Sequence, residues 1–395
     1  MKKILKNNKK ILFIIFLTIS LVSLLNTIEK GIKNGCDFQW YPSKLFWEGI
    51  NHYRYIIDSG KVFMCQGGEY GHLLQIIFFP FALMDWNTAK LSWLVINVFL
   101  TFLIPYAICK SFKIQTENFL IIILIFITCY PTRMTINYGQ QSLFVLFFLI
   151  LPFLNTKNYC YFLSGFSYVK YSTGYILFLN YLVEKRFKHL IFASLPVFLG
   201  WIVYFIFTNS NPIQNLFEPL ELIFGKNYTQ STDLYSLLNR YLFEKNNLFN
   251  KLFIILIVVS LNLFFLFKIK NIQGKLIKMS LIFILPLIFM PHSNYDYVLL
   301  LPLLILGISN FKLNINKFNF YFVIYYFYFN RIIKHLIETY ILDINKIVIF
   351  NIFIFFLFLF LLVLNIFYYT KTNKPRDFFS MKIGSKKVSF LKRLF

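Results

Sequence analysis

Gly35-Cys36-Asp37-Phe38-Gln39-Trp40-Tyr41 opens the first long polar stretch of the chain, which ends at Glu69-Tyr70-Gly71-His72 and has apolar runs on both sides. Upstream, Lys2, Lys3, Lys6, Lys9 and Lys10 precede an apolar run from Ile11 to Ile28 that has no small-x-small cleavage site. This pattern predicts an uncleaved first membrane helix with its N-terminus in the cytoplasm, so residues 29–72 fall outside. Inside the stretch, Leu45, Phe46, Ile50, Tyr53, Ile56 and Ile57 form an amphipathic piece. An acidic residue directly after a first membrane helix, in a chain with 16 Asp plus Glu, makes Asp37 the leading candidate for chemistry.

The whole chain agrees with a membrane reading. Of its 395 residues 58% are hydrophobic, 21% aromatic and 14% charged, and the mean hydropathy is +0.63, outside the range of a soluble domain. The expected fold is an all-α polytopic membrane protein. A net charge of +24 raises nucleic acid as a partner, but the Lys and Arg lie at the chain ends and between apolar runs, the positive-inside pattern, so none is expected. The five cysteines show no C-x-x-C and no metal spacing. Cys36 and Cys65 share one polar loop and could pair if it faces an oxidising compartment, but spacing alone does not supply the geometry.

Leu73 to Met84 is too short to span, since about 20 residues are needed, whereas 88–109 suffices and ends at Lys110 and Lys113. Residues 73–84 therefore read as a re-entrant or interfacial helix, which extends the external, catalytic loop to 29–87. Spans are then expected at 117–131 and 141–155 around an external loop at 132–140. Residues 158–169 and 172–184 form a short pair with Lys170 at the junction, a broken hairpin of the kind that lines a cavity. Lys185-Arg186-Phe187-Lys188 is inside, 188–208 goes out, and 209–250 is the second large external loop. Spans at 251–269, 276–290, 297–310, 318–331 and 346–369 follow, then a basic cytoplasmic tail at 371–395. About twelve spans in one integral membrane domain, 1–395, result, with both termini cytoplasmic. The map puts Glu29, Asp37, Glu48, Asp58, Glu69, Asp85, Glu218, Glu221, Asp233, Glu244, Asp296, Glu338 and Asp343 outside, thirteen of the 16 acids.

No G-x-x-x-x-G-K-[ST], H-E-x-x-H or G-x-S-x-G occurs, so nucleotide hydrolysis, zinc proteolysis and serine hydrolysis lack support. Asp37 reads as a general base that takes a proton from an attacking hydroxyl; a capping role for the segment near Ser43 would place it too far upstream. In Tyr138-Gly139-Gln140-Gln141-Ser142, Gly139 permits a tight turn or close approach and Gln140 offers a donor and an acceptor to a sugar hydroxyl, against ordinary helix punctuation. Arg133 reads as a phosphate contact or an interfacial anchor. Lys170 between apolar segments calls for a buried anionic partner, a phosphate or Asp37, unless it snorkels. In Pro291-His292-Ser293-Asn294-Tyr295-Asp296-Tyr297, His292 and Asp296 suit a phosphate and a hydroxyl, against a capping turn led by Asn294.

At these residues the chain resembles the polytopic membrane glycosyltransferases of the C superfamily, specifically glycosyltransferase family 87. The similarity is carried in order by Asp37-Phe38 with Tyr41, Tyr70, Phe79-Pro80-Phe81-Ala82-Leu83-Met84, Trp93-Leu94-Val95-Ile96-Asn97, Gly139-Gln140-Gln141, Gly165 with Lys170, and Pro291 to Tyr297 followed by Val298-Leu299-Leu300-Leu301-Pro302. It implies an inverting transfer of a hexose, mannose favoured, from a polyprenyl-phosphate-sugar donor to a hydroxyl of a lipid-linked or envelope glycan. Asp37 matches the family's base; Tyr41, Tyr70, His72, Arg133, Gly139, Gln140, Lys170, His292 and Asp296 are the expected substrate contacts. Membrane lipid is a further partner, no metal or organic cofactor is demanded, and a bacterial inner or plasma membrane is the expected location. The chain departs from the family at Tyr70-Gly71-His72, where Tyr-Pro-Pro is common, and at Tyr295-Asp296, where His-His often precedes the final Tyr. Two other classes compete. A flippase or transporter of a lipid-linked glycan predicts mid-membrane polar residues and an inverted repeat; an envelope-glycan polymerase or ligase predicts a basic external loop, where 209–250 has Lys226, Arg240 and Lys245 beside four acids.

Overall fold

The computed structural model describes residues 2–225, 232–241, 248–341 and 344–372. Glu244, Asp343, Lys226, Lys245 and the tail from 373 onward lie outside the described residues. Among the described residues every regular element is helical, apart from one isolated bridge between Phe63 and Gln66.

Five helices are long and apolar enough to cross a membrane: Ile11–Asn34, Trp86–Ser111, Phe187–Phe207, Asn250–Lys270 and Ile349–Lys371. A sixth crossing arises if Thr116–Thr128 and Tyr130–Tyr138, bent by 53° at Cys129, count as one span. The expected external loop at 132–140 is thus mostly helix, ending at Gly139. The remaining segments read as spans are shorter or broken. Ser142–Leu154 has 13 residues and Lys275–Phe289 has 15, about 20 and 23 Å at 1.5 Å per residue against a hydrocarbon core of about 30 Å. Asn158–Ser164 passes through a 3₁₀ turn, Gly165–Val169, into Tyr171–Val183, and Asn294–Leu300 is a 3₁₀ turn leading into Leu301–Ser309. These pieces sit inside the bundle: Leu276, Ile277 and every residue from Met279 to Phe289 are buried. Surrounded by protein, they escape the length and continuity that lipid imposes on an outer helix.

Segment 73–84 forms two short helices, His72–Ile77 and Phe79–Ala82, of six and four residues, neither long enough to cross. With Trp40–Trp47 and His52–Ser59 they build a compact lobe. The Asn51 side chain caps His52–Ser59 by accepting from the backbone N–H of Tyr53 (3.1 Å) and Arg54 (3.3 Å). Phe38, fully buried, stacks on Trp93 at 5.4 Å and meets Phe78 and Phe81, fastening the lobe to Trp86–Ser111. A disulfide joins Cys36 and Cys65, Cα atoms 5.5 Å apart, and closes the open question about these thiols.

The helix Pro212–Gly225 of the second loop docks on this lobe. Arg54 Nε donates to the buried Glu218 Oε1 at 2.7 Å, Asn51 Nδ2 to Glu218 Oε2 at 2.8 Å, and His72 Nε2 lies 3.0 Å from the Asn215 carbonyl. At the start of Phe187–Phe207 the basic stretches 185–188 and 268–278 meet: Glu184 pairs with Arg186 at 2.9 Å and Lys278 at 3.5 Å, and Lys270 Nζ donates to the Val183 carbonyl at 3.1 Å. The far end of that 21-residue helix packs on the lobe, with Phe207 5.2 Å from Phe46 and from Trp47. Basic cluster and lobe therefore lie at opposite ends of a helix about 32 Å long.

Candidate active site

Asp37 is set by its backbone and both of its carboxylate oxygens. Its N–H donates to the Tyr138 carbonyl at 2.9 Å. Gln39 Nε2 donates to Oδ1 at 2.9 Å, and Gln140 Nε2 donates to Oδ2. The Tyr70 hydroxyl donates to Gln140 Oε1 at 2.9 Å, which fixes the amide so that its N–H₂ end points at the carboxylate. Gln39 is held in turn by the Gly68 N–H, which donates to its Oε1 at 3.1 Å. Two amide donors, one on each oxygen, fix the plane of the carboxylate.

The local backbone explains how Gln140 gets there. Tyr130–Tyr138 ends at Gly139, whose φ of +71° is the left-handed conformation that ends helices. A Cβ at Gly139 would stand 3.2 Å from Phe38 Cβ, so the turn also needs the missing side chain. The Trp93 indole N–H donates to the Gly139 carbonyl at 2.8 Å and locks the turn.

The second polar group centres on Asp296. Lys170 Nζ lies 2.5 Å from its Oδ1, the Ser142 hydroxyl donates to the same oxygen at 2.6 Å, and the Ser293 N–H donates to Oδ2 at 2.9 Å. Lys170 Nζ also stands 4.6 Å from the centre of the Tyr295 ring. The anionic partner predicted for Lys170 is thus Asp296, not Asp37. The capping turn is led by Ser293 rather than Asn294, because Asp296 sits three residues beyond Ser293 and reaches back to its N–H. The two groups adjoin: Tyr295 and Tyr70 both feel the charges of Asp37, Glu69 and Asp296.

The other predicted contacts are placed as follows. Tyr41 lies against Phe63 at 5.3 Å and Tyr55 at 6.5 Å, in the aromatic part of the lobe. His72, buried, has Asn215 on Nε2 and the Tyr171 hydroxyl at 3.4 Å on Nδ1, and links the lobe to Pro212–Gly225. His292 faces the Met290 carbonyl at 3.2 Å and the Tyr297 hydroxyl at 3.4 Å. Arg133 projects from Tyr130–Tyr138, half-buried.

A sequence profile of glycosyltransferase family 87 matches residues 70–291, more than half of the chain. The chain belongs to glycosyltransferase family 87. No curated protein and no solved structure matches it. Family membership makes it a glycosyltransferase, and its apolar helices make it a membrane one. The profile covers Tyr70, His72, Arg133, Gly139, Gln140 and Lys170 of this family 87 chain and stops short of Asp37, Tyr41, His292 and Asp296. Hydrogen bonds bridge that gap, since Gln140 and Lys170 inside the matched region hold Asp37 and Asp296 outside it. Gln39 and Ser142 were not foreseen as site residues. Each is a neutral residue beside a conspicuous one, two positions after Asp37 and two after Gln140, and that adjacency was the available signal.

Proposed function

We propose that this enzyme moves a hexose, mannose favoured, from a polyprenyl-phosphate-sugar donor to a hydroxyl of a lipid-linked or envelope glycan, with inversion. The acceptor hydroxyl gives its proton to Asp37 as its oxygen bonds to the anomeric carbon from the face opposite the phosphate; the bond from that carbon to the phosphate oxygen breaks, and the prenyl phosphate leaves with the electron pair. The observation that carries this reading is the carboxylate of Asp37, held by Gln39 and Gln140 and adjoining the Lys170–Asp296 group in a family 87 chain. Donors that preset a base and cationic or tyrosine groups that offset developing charge are what such a displacement requires. The reaction as written asks for no metal or organic cofactor. It takes place on the extracytoplasmic face of a bacterial inner or plasma membrane, with both termini cytoplasmic.

The test is transfer from a panel of radiolabelled polyprenyl-phosphate hexoses and pentoses into endogenous lipids and glycans, in membranes carrying the wild type or Asp37→Asn. A label transferred by the wild type identifies the donor, and transfer is expected to drop by about 10²–10⁴ in Asp37→Asn. Undiminished transfer by an inserted Asp37→Asn enzyme removes Asp37 as the base.

A further inference from the structure

The helix Pro212–Gly225 has its polarity reversed. Asn215 and Glu218 are buried against the lobe, where the Asn215 carbonyl meets His72 and the Glu218 carboxylate accepts from Arg54 and Asn51. Ile213, Leu216 and Phe217 are 72%, 48% and 57% exposed. With the half-buried Leu220 they follow the i, i+3, i+4, i+7 spacing that lines up one face of a helix. A helix surrounded by water turns such a stripe inward and its polar residues outward. Here the hydrogen-bonding residues point in and the stripe points out, so the stripe forms an apolar patch that calls for a cover.

The position of the helix in the fold identifies that cover. The preceding span, Phe187–Phe207, buries Ala193, Pro196, Gly200 and Tyr204 and leaves Val203 and Ile206 exposed, as a lipid-facing helix does. Residues 208–211 then reverse the chain, with Asn209 at a left-handed φ of +48°. Asn211 caps the new helix at once, its Oδ1 accepting from the N–H of Ile213 at 3.0 Å and of Gln214 at 3.2 Å. The reversal carries the chain back beside the span it has just left, because the Trp201 indole N–H donates to the Pro212 carbonyl at 3.2 Å. Trp201 lies six residues before Phe207, about 9 Å down the span. Tyr204, midway between the two, has its hydroxyl 2.7 Å from His52 Nδ1, so the lobe reaches the same depth. Pro212–Gly225 therefore starts at the level of Val203 and Ile206, where the medium outside the protein is lipid. Amphipathic helices that lie in a membrane interface sink their apolar face by about this much.

We propose that Pro212–Gly225 lies in the leaflet on the lobe's side of the membrane, with Ile213, Leu216 and Phe217 among the lipid chains and Asn215 and Glu218 turned to the lobe. The first part of the second loop is then a membrane-borne strap. Its inner face grips Asn51, Arg54 and His72, so its contact with lipid sets the height of the lobe that carries Asp37. This placement does not depend on the sugar-transfer reading.

The full chain, in nanodiscs of phosphatidylcholine and phosphatidylglycerol, is spin-labelled at single introduced cysteines, Ile213→Cys, Phe217→Cys and Glu221→Cys, with Ile206→Cys as the lipid-facing standard. The native cysteines are tied in the bridge or buried, and all four substituted positions are exposed, so the labels leave the fold intact. The ratio of collisions with oxygen to collisions with a water-soluble nickel chelate is expected to be several-fold higher at 213 and 217 than at 221, and close to that at 206. Ratios at 213 and 217 equal to that at 221 place the stripe in water and overturn the proposal. Exclusion of both reagents, or dipolar broadening between labels on two copies, means a protein cover and also overturns it. A lipid-like ratio in a chain that transfers no sugar would keep the strap and remove only the reaction.

Discussion

Lys170 and Asp296 form the most exposed-to-failure contact of the site in energetic terms, because Asp296 is buried, Lys170 is mostly so, and one acceptor oxygen serves two donors. Removing one member of such a pair strands a charge, which costs about 3–5 kcal/mol, whereas removing both charges together is far cheaper. Lys170→Met is therefore expected to lower thermal stability in detergent by that amount, and Lys170→Met with Asp296→Asn to recover most of it. A double variant no more stable than Lys170→Met would show that the pair is not coupled in this way. Residues of this kind were legible in the sequence because an ammonium between apolar segments demands a partner. Which partner was not legible: Asp37 and Asp296 were equally anionic, and only the Ser293 turn, which aims Asp296 inward, separates them. Gln39 and Ser142 stayed hidden for the opposite reason, since a neutral polar side chain just before a helix or at its first residue raises no energetic question.

Among the elements, the lobe that follows the first helix is the part most dependent on a covalent tie. Cys36 precedes Asp37 directly and is joined to Cys65, 29 residues on. A bridge of this span restricts the unfolded chain by about 3–4 kcal/mol. Cys36→Ser with Cys65→Ser, or reduction of the wild type, is expected to lower the melting temperature and to reduce transfer together, because the tie sits one residue from the carboxylate. Unaltered transfer after complete reduction would separate the bridge from the placement of Asp37. Helices were read well where they are long and lipid-facing, as at Trp86–Ser111 and Phe187–Phe207. They were read poorly in the interior, as at Asn294–Leu300 and Tyr130–Tyr138, where neighbouring protein satisfies a backbone that lipid would force into one continuous helix.

For the whole molecule, pH and topology give separate checks. His52 is fully buried, and burial pushes its imidazole down to about 3; burial likewise takes His72 down to about 4. In the unfolded chain both titrate near the usual 6.5. Above that pH neither state holds the proton and stability is full; as pH falls from 6.5 toward 4, the unfolded chain gains protons that the folded one refuses, and stability is lost. Melting in detergent is expected to fall steadily between pH 6.5 and 4.5, and His52→Gln with His72→Gln to flatten the fall; a flat wild-type profile would contradict the burial argument. The separation of the lobe from the basic cluster along Phe187–Phe207 predicts that a reporter fused after Gly225 is outside and one after Lys188 inside. Both reporting the same side would overturn the proposal that Asp37 and Asp296 share the outer face.

Asp296 follows Lys170 by 126 residues, and a ribosome has to make all of them before the two can meet. At about 5–20 residues per second, that wait is roughly 6–25 s. Throughout it, the nascent hairpin Asn158–Val183 has a lone ammonium at its tip, next to a lipid phase that rejects one. The tip must rest in water, or against the insertion machinery, until the last quarter of the chain arrives to neutralise it. Translation that stops before Asp296 would leave an inserted but unclosed protein, and the cell's membrane proteases would meet it as such.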